Sequence, residues 1–102
     1  MKLNFNFNFK GLDGKEVLDA KQEPVHAGKT LAQFISATNS GNSIKLWDWA
    51  LKIYNDKPLE VDATDIDVLS ELINKGETLT ILAKAQLMSV IGEAKDKDKE
   101  KK

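Results

Sequence analysis

"KLNFNFNFKGLDGKEVL", Lys2 to Leu18, is the stretch on which the fold turns. Its first half alternates at every step. Leu3, Phe5, Phe7 and Phe9 fall on one side and Asn4, Asn6 and Asn8 on the other, the period of a half-buried β-strand. Asp13-Gly14 follows, and Asp-Gly between two strand-like runs favours a two-residue type I′ turn, which needs positive φ at both central residues. With that turn Leu12 faces Lys15, Phe9 faces Leu18 and Phe7 faces Ala20. The register gathers Phe7, Phe9, Leu18 and Ala20 on one face for burial. It leaves the Asn face and an outer backbone edge open, and an open edge is a ready site for a partner chain.

Downstream the period changes. Residues 21–29, with Glu23-Pro24 and Gly28, read as a connecting loop. Thr30 with Gln33 three residues on reads as a capping box. It opens a helix through Leu31, Phe34, Ile35 and Thr38 that stops before Asn39-Ser40-Gly41-Asn42. Ser43 caps a second helix, about 44–55, whose apolar residues Leu46, Trp47, Ala50, Leu51, Ile53 and Tyr54 form more than one stripe. That pattern predicts burial on two sides. Trp47 and Trp49 point to different faces: one belongs to the core, and the expectation is that the other is core as well, an exposed tryptophan marking a protein contact. Lys57-Pro58 ends this helix. Leu59-Glu60-Val61 suits a short third strand. Asp62 or Thr64 caps a third helix with Ile66, Leu69, Leu72 and Ile73 buried, stopped by a left-handed Gly76. A fourth starts at Thr78, carries Leu79, Leu82, Ala85, Met88 and Ile91 and closes at Gly92. The expected class is therefore α+β, a β-hairpin packed on about four short helices. Residues 1–92 form a single domain, and 93–102, nearly all Lys, Asp and Glu, form a disordered charged tail.

Composition excludes more chemistry than it supports. The chain has 102 residues, net charge −1, no cysteine, one histidine and no arginine among its 15 basic residues. Without cysteine there is no disulfide, thiolate nucleophile or cysteine-held zinc. Without arginine the bidentate fork that reads phosphate and guanine is missing. Residues 1–52 hold seven lysines against five acids, and residues 53–92 three against seven. Such an uneven charge suits a steered protein partner. No apolar run is long enough for a bilayer and no signal peptide is recognisable, so the expected location is the cytoplasm, a host cell's with virion association open.

The motifs that invite chemistry have plainer uses. His26 sits in a loop with no recognisable nucleophile beside it. Gly28-Lys29-Thr30 has the ending of a phosphate-binding loop, but Glu23 occupies the place of its first glycine. Asp62, Asp65 and Asp67 lack the spacing of a calcium loop and suit a helix start. No catalytic, cofactor-binding or metal-binding residue is assigned, and no enzyme activity, cofactor, small-molecule ligand or membrane contact is expected.

"LWDWALKIYNDKPLEVDATDIDVLSELI", Leu46 to Ile73, followed by "LTILAKAQLMSVI", Leu79 to Ile91, resembles small uncharacterised proteins encoded by tailed phages and integrated prophages. The resemblance implies a phage-type origin and carries over no functional residue. Together these readings predict a small non-enzymatic protein acting through protein–protein association, with itself or another chain, as an assembly or accessory factor. The alternative is a nucleic-acid-binding regulator, for which Lys29, Lys45 and Lys52 would have to share one surface.

Overall fold

The run from Lys2 to Phe9 is not one straight strand. In the computed structural model, which describes residues 1–38 and 41–100 and side chains through 97, only Lys2–Leu3 (β1) joins a regular ladder. It pairs antiparallel with Leu59–Glu60 (β2), the third strand anticipated from the sequence. Beyond it the backbone folds on itself. The Asn4 side chain accepts the Asn6 N–H at 2.8 Å. The Phe7 N–H then donates to the Phe5 carbonyl at 2.9 Å, closing a three-residue turn centred on Asn6. Leu3, Phe5 and Phe9 are still buried, while Phe7 is partly exposed and meets Phe9 edge-on at 6.0 Å.

The hairpin forms where Asp13-Gly14 places it, but one residue out of the expected register. Lys10 lies opposite Glu16, and the Val17 N–H donates to the Phe9 carbonyl at 2.9 Å. The loop has three residues rather than two. Gly14 N–H bonds back to Gly11 carbonyl at 3.0 Å, and of the loop residues only Gly14 has positive φ, at 80°. This is a type I turn followed by a left-handed residue, the other common hairpin closure. Because side chains alternate, a one-residue slip exchanges the faces. Val17 therefore packs on the core with Phe9, while Leu18 is 49% exposed and Ala20 is exposed too.

The same device recurs eight residues later, in the stretch expected to be mostly loop. Asp19 N–H bonds Glu23 carbonyl at 2.8 Å, Gln22 N–H bonds Asp19 carbonyl at 3.0 Å, and Gln22 takes the left-handed role with φ 65°. Leu18 lies opposite Pro24 and Asn8 opposite His26, so three antiparallel pairings meet. Phe9 N–H donates to Val25 carbonyl, Val25 N–H to Val17 carbonyl and Val17 N–H to Phe9 carbonyl, each at 2.9 Å. These three bonds close a triangle, and the side chains at its corners all pack on the core.

Four helices cover the buried face. Helix α1 spans Ala27–Ala37, α2 Ser43–Tyr54, α3 Ala63–Lys75 and α4 Ile81–Glu100. Helix α1 starts earlier than expected because His26, not Thr30, is its N-cap: the ring Nδ1 accepts the Lys29 N–H at 3.2 Å. Asn42 rather than Ser43 caps α2. That helix ends in a left-handed Asp56, φ 60°, with Lys57 N–H reaching back to Lys52 carbonyl, a Schellman closure ahead of Pro58. Asp62 caps α3 in a reciprocal box with Asp65. Gly76 is not left-handed; its φ is −67°. Helix α4 does not stop at Gly92 but runs on to Glu100, with Ala94 still buried. Leu79, just ahead of the helix, and Ala83, Leu87 and Ile91 within it are buried, a four-residue step that leaves Ala85 outside. The helix stop expected at Asn39-Ser40 lies outside the described residues, as do Lys101 and Lys102 of the tail.

Leu31 and Ile35 of α1, Leu46, Trp49 and Ile53 of α2, Ile66, Leu69 and Ile73 of α3, and Leu87 and Ile91 of α4 make one core with Leu3 and Leu59. The outward edge of the hairpin is partly closed as well. Gln86 of α4 accepts the Lys10 N–H at 3.0 Å and donates to the Lys10 carbonyl at 2.6 Å. The architecture is thus α+β, an N-terminal hairpin packed against four helices, as the sequence predicts.

Candidate protein-interaction surface

Two apolar stripes run along α2, and only one is covered. Leu46, Trp49, Ala50 and Ile53 turn inward and are at most 5% exposed. On the other side Ile44 is 84% exposed, Trp47 57%, Leu51 45% and Tyr54 47%. The expectation of burial on both sides is corrected: among the described residues, the second stripe is left largely open to solvent. The expectation that both tryptophans are core is corrected too: Trp49 is in the core and Trp47 is outside. Leu12 at the hairpin tip and Ile81 at the start of α4 are also exposed. Isolated apolar residues of this kind are ordinary on a protein surface, whereas four on one helical face are not.

The surroundings of the stripe are polar and mostly self-satisfied. Asp48 and Lys52 pair at 3.1 Å one turn apart. Lys29 lies over the Tyr54 ring at 5.7 Å, a cation–π arrangement. Lys45 forms an ion pair with Asp65 and lies 5.5 Å from the Trp49 ring, tying the start of α2 to the start of α3. The Lys45 ammonium holds the Asp65 carboxyl below its ordinary value, against burial, which acts the other way. Of the three lysines required for the nucleic-acid alternative, then, Lys45 and Lys52 each face a carboxylate and Lys29 an aromatic ring.

A groove of about 500 Å³ adjoins the stripe, lined by Ile35 of α1, Thr38 just past its end, Ile44 and Trp47. A second, of about 530 Å³, lies between the end of α1 and α3 and is walled by Phe34, Val68, Leu72 and Gly76.

The remaining sequence features are placed in structural roles. His26 Nδ1 is occupied by its capping bond, so Nε2 carries the proton toward Asn6 Oδ1 at 2.9 Å, with Asp56 at 3.5 Å. Gly28-Lys29-Thr30 lies within the first turns of α1, not in a loop, and the Thr30 hydroxyl donates to the His26 carbonyl at 2.8 Å. Asp62 and Asp65 cap α3, and Asp67 is exposed on it. The Asn face is partly spoken for within the chain, since Asn8 donates to Glu16 at 2.8 Å and Asn6 meets His26. Among the described residues no group of three or more His, Asp or Glu is set to hold a metal ion. None of the described helices is long and apolar enough to cross a membrane.

Compared with protein-family models, with curated proteins and with solved structures, the chain matches none.

Proposed function

We propose that this chain is a non-enzymatic association protein whose working surface is the outer face of α2. The observation that carries this reading is the exposed row Ile44, Trp47, Leu51 and Tyr54 on a helix whose opposite face is core. Leaving such a row in water forfeits the burial energy of four large side chains, which a partner's surface would recover. Tryptophan and tyrosine are also the residue types that most often carry binding energy at interfaces. The phage-type origin suggested by residues 46–91 belongs to the same proposal, since that segment contains most of α2, as does an accessory or assembly role in the cytoplasm of a host cell.

Photo-crosslinking tests the reading. A photoreactive residue at position 47 should give protein adducts, while the same group at exposed Asp67 on α3 should not. Equal yields at the two positions, or none at either, would refute it.

A further inference from the structure

We infer that the partner on this face is a second copy of the chain, docked as an antiparallel α2–α2′ pair. This rests on the association reading above and names its occupant. The exposed residues are Ile44, Trp47, Leu51 and Tyr54, so the steps along the helix are three, four and three. That spacing is the same read from either end. Two copies related by a two-fold axis midway between Trp47 and Leu51 therefore bring Ile44 against the partner's Tyr54 and Trp47 against the partner's Leu51. Each layer then joins one aromatic with one aliphatic side chain, the large-with-small alternation that lets helix faces interdigitate. A closed two-fold contact must be self-complementary, and this row is.

The charges agree with the same geometry. Asp48 and Lys52 flank the stripe as a pair 3.1 Å apart. An antiparallel copy sets its own pair beside them, so each carboxylate has an ammonium from either chain within reach and the cluster stays neutral. A parallel pair would instead stack like residues, Trp47 on Trp47, and set the two Asp48–Lys52 pairs on opposite flanks, out of each other's reach. In area, four side chains at these exposures supply roughly 500 Å² per copy, hence about 1,000 Å² for the pair, the lower bound for a specific interface. The dimer is accordingly reversible and concentration-dependent.

Sedimentation of the full chain from low micromolar to millimolar concentration should show monomers passing to dimers, and Trp47→Lys should remain monomeric with an unchanged circular dichroism spectrum. A wild-type chain that stays monomeric at millimolar concentration overturns the inference. Orientation is tested in a chain that has no native cysteine. Ile44→Cys and Tyr54→Cys should form a disulfide when mixed and neither should self-link alone, because like positions sit about 15 Å apart along antiparallel helices. Self-linking in each variant alone would overturn the antiparallel pairing. Adducts from position 47 that contain a different protein, together with a monomeric wild type, would sink the self-pair and leave the association reading standing.

Discussion

Gly76 illustrates how one residue type serves two physical ends. In the sequence it follows Asn74-Lys75 at a helix end, where a left-handed glycine is the common stop. In the fold its φ is ordinary, and what excludes a side chain is Phe34: an added Cβ would sit 2.6 Å from Cζ and 2.8 Å from Cε1 of that ring. Gly76→Ala should therefore cost about 1–3 kcal/mol by overpacking. Phe34→Leu in the same chain should recover part of that loss. A double-mutant cycle in urea measures the coupling, and strict additivity would contradict the contact. Gly14 and Gln22 make the complementary pair, since both adopt positive φ at matching places in two hairpins. Gly14→Ala should destabilise by about 1 kcal/mol. Gln22→Gly should be neutral or stabilising, because relief of the left-handed backbone outweighs the roughly 0.5–1 kcal/mol of added chain entropy. Thermal or urea melts showing the two changes with the same destabilising size would count against the shared turn geometry.

Among the elements, the junction of α2 with α3 responds to acid. Asp65 closes the α3 capping box and receives Lys45 from α2, and that ammonium lowers its carboxyl from the ordinary value. A carboxyl depressed in the folded state stabilises the fold fully above its unfolded value, about 3.9, and progressively less as pH falls through the folded one. Lys45→Met should therefore flatten the acid limb of stability while leaving its slope near neutrality unchanged, as read from urea midpoints across pH. The Glu71–Lys75 pair lowers Glu71 in the same sense, but it is exposed and weakened by salt. Most elements were legible in the sequence, where strong periodicity meets a cap, as at Asp62 with Asp65. Helix phase was less so. Around the start of α4 and along it, Leu79, Leu82, Ala85 and Met88 fit helical spacing as well as Leu79, Ala83, Leu87 and Ile91 do, and only the shape of the core selects the second set. Register failed for a similar reason. Asp13-Gly14 marks a turn, but a two-residue and a three-residue loop both accept Gly at position 14, and they differ by the one residue that exchanges faces.

At the scale of the molecule, the α+β class followed from one strong turn signal and four capped helical patterns. The second hairpin did not, because Ala20-Lys21-Gln22 contains no glycine or proline and Gln22 is not a residue type that advertises positive φ. The candidate surface was half legible. The two stripes of α2 are plain in its sequence, but whether a second stripe meets another part of the same chain is a tertiary fact. The two tryptophans should report the difference in chemical denaturation. Trp49→Ala removes a core side chain and should cost about 3–5 kcal/mol. Trp47→Ala should shift monomer stability by no more than about 0.5 kcal/mol. Similar losses at both sites would mean that the outer face is not open in the monomer.

The triangle at Phe9, Val17 and Val25 also has a kinetic consequence. Each corner amide donates to a carbonyl on a different arm, so no arm can lift without releasing a proton-donating bond belonging to another. Solvent then reaches these three amides through one shared opening. In native-state hydrogen–deuterium exchange their opening free energies should agree within about 1 kcal/mol, although the residues lie eight apart in the chain. The tip amides of Gly14 and Gln22, which close only their own turns, should exchange sooner. Three unrelated exchange rates at the corners would show two independent hairpins instead of one cooperative clasp.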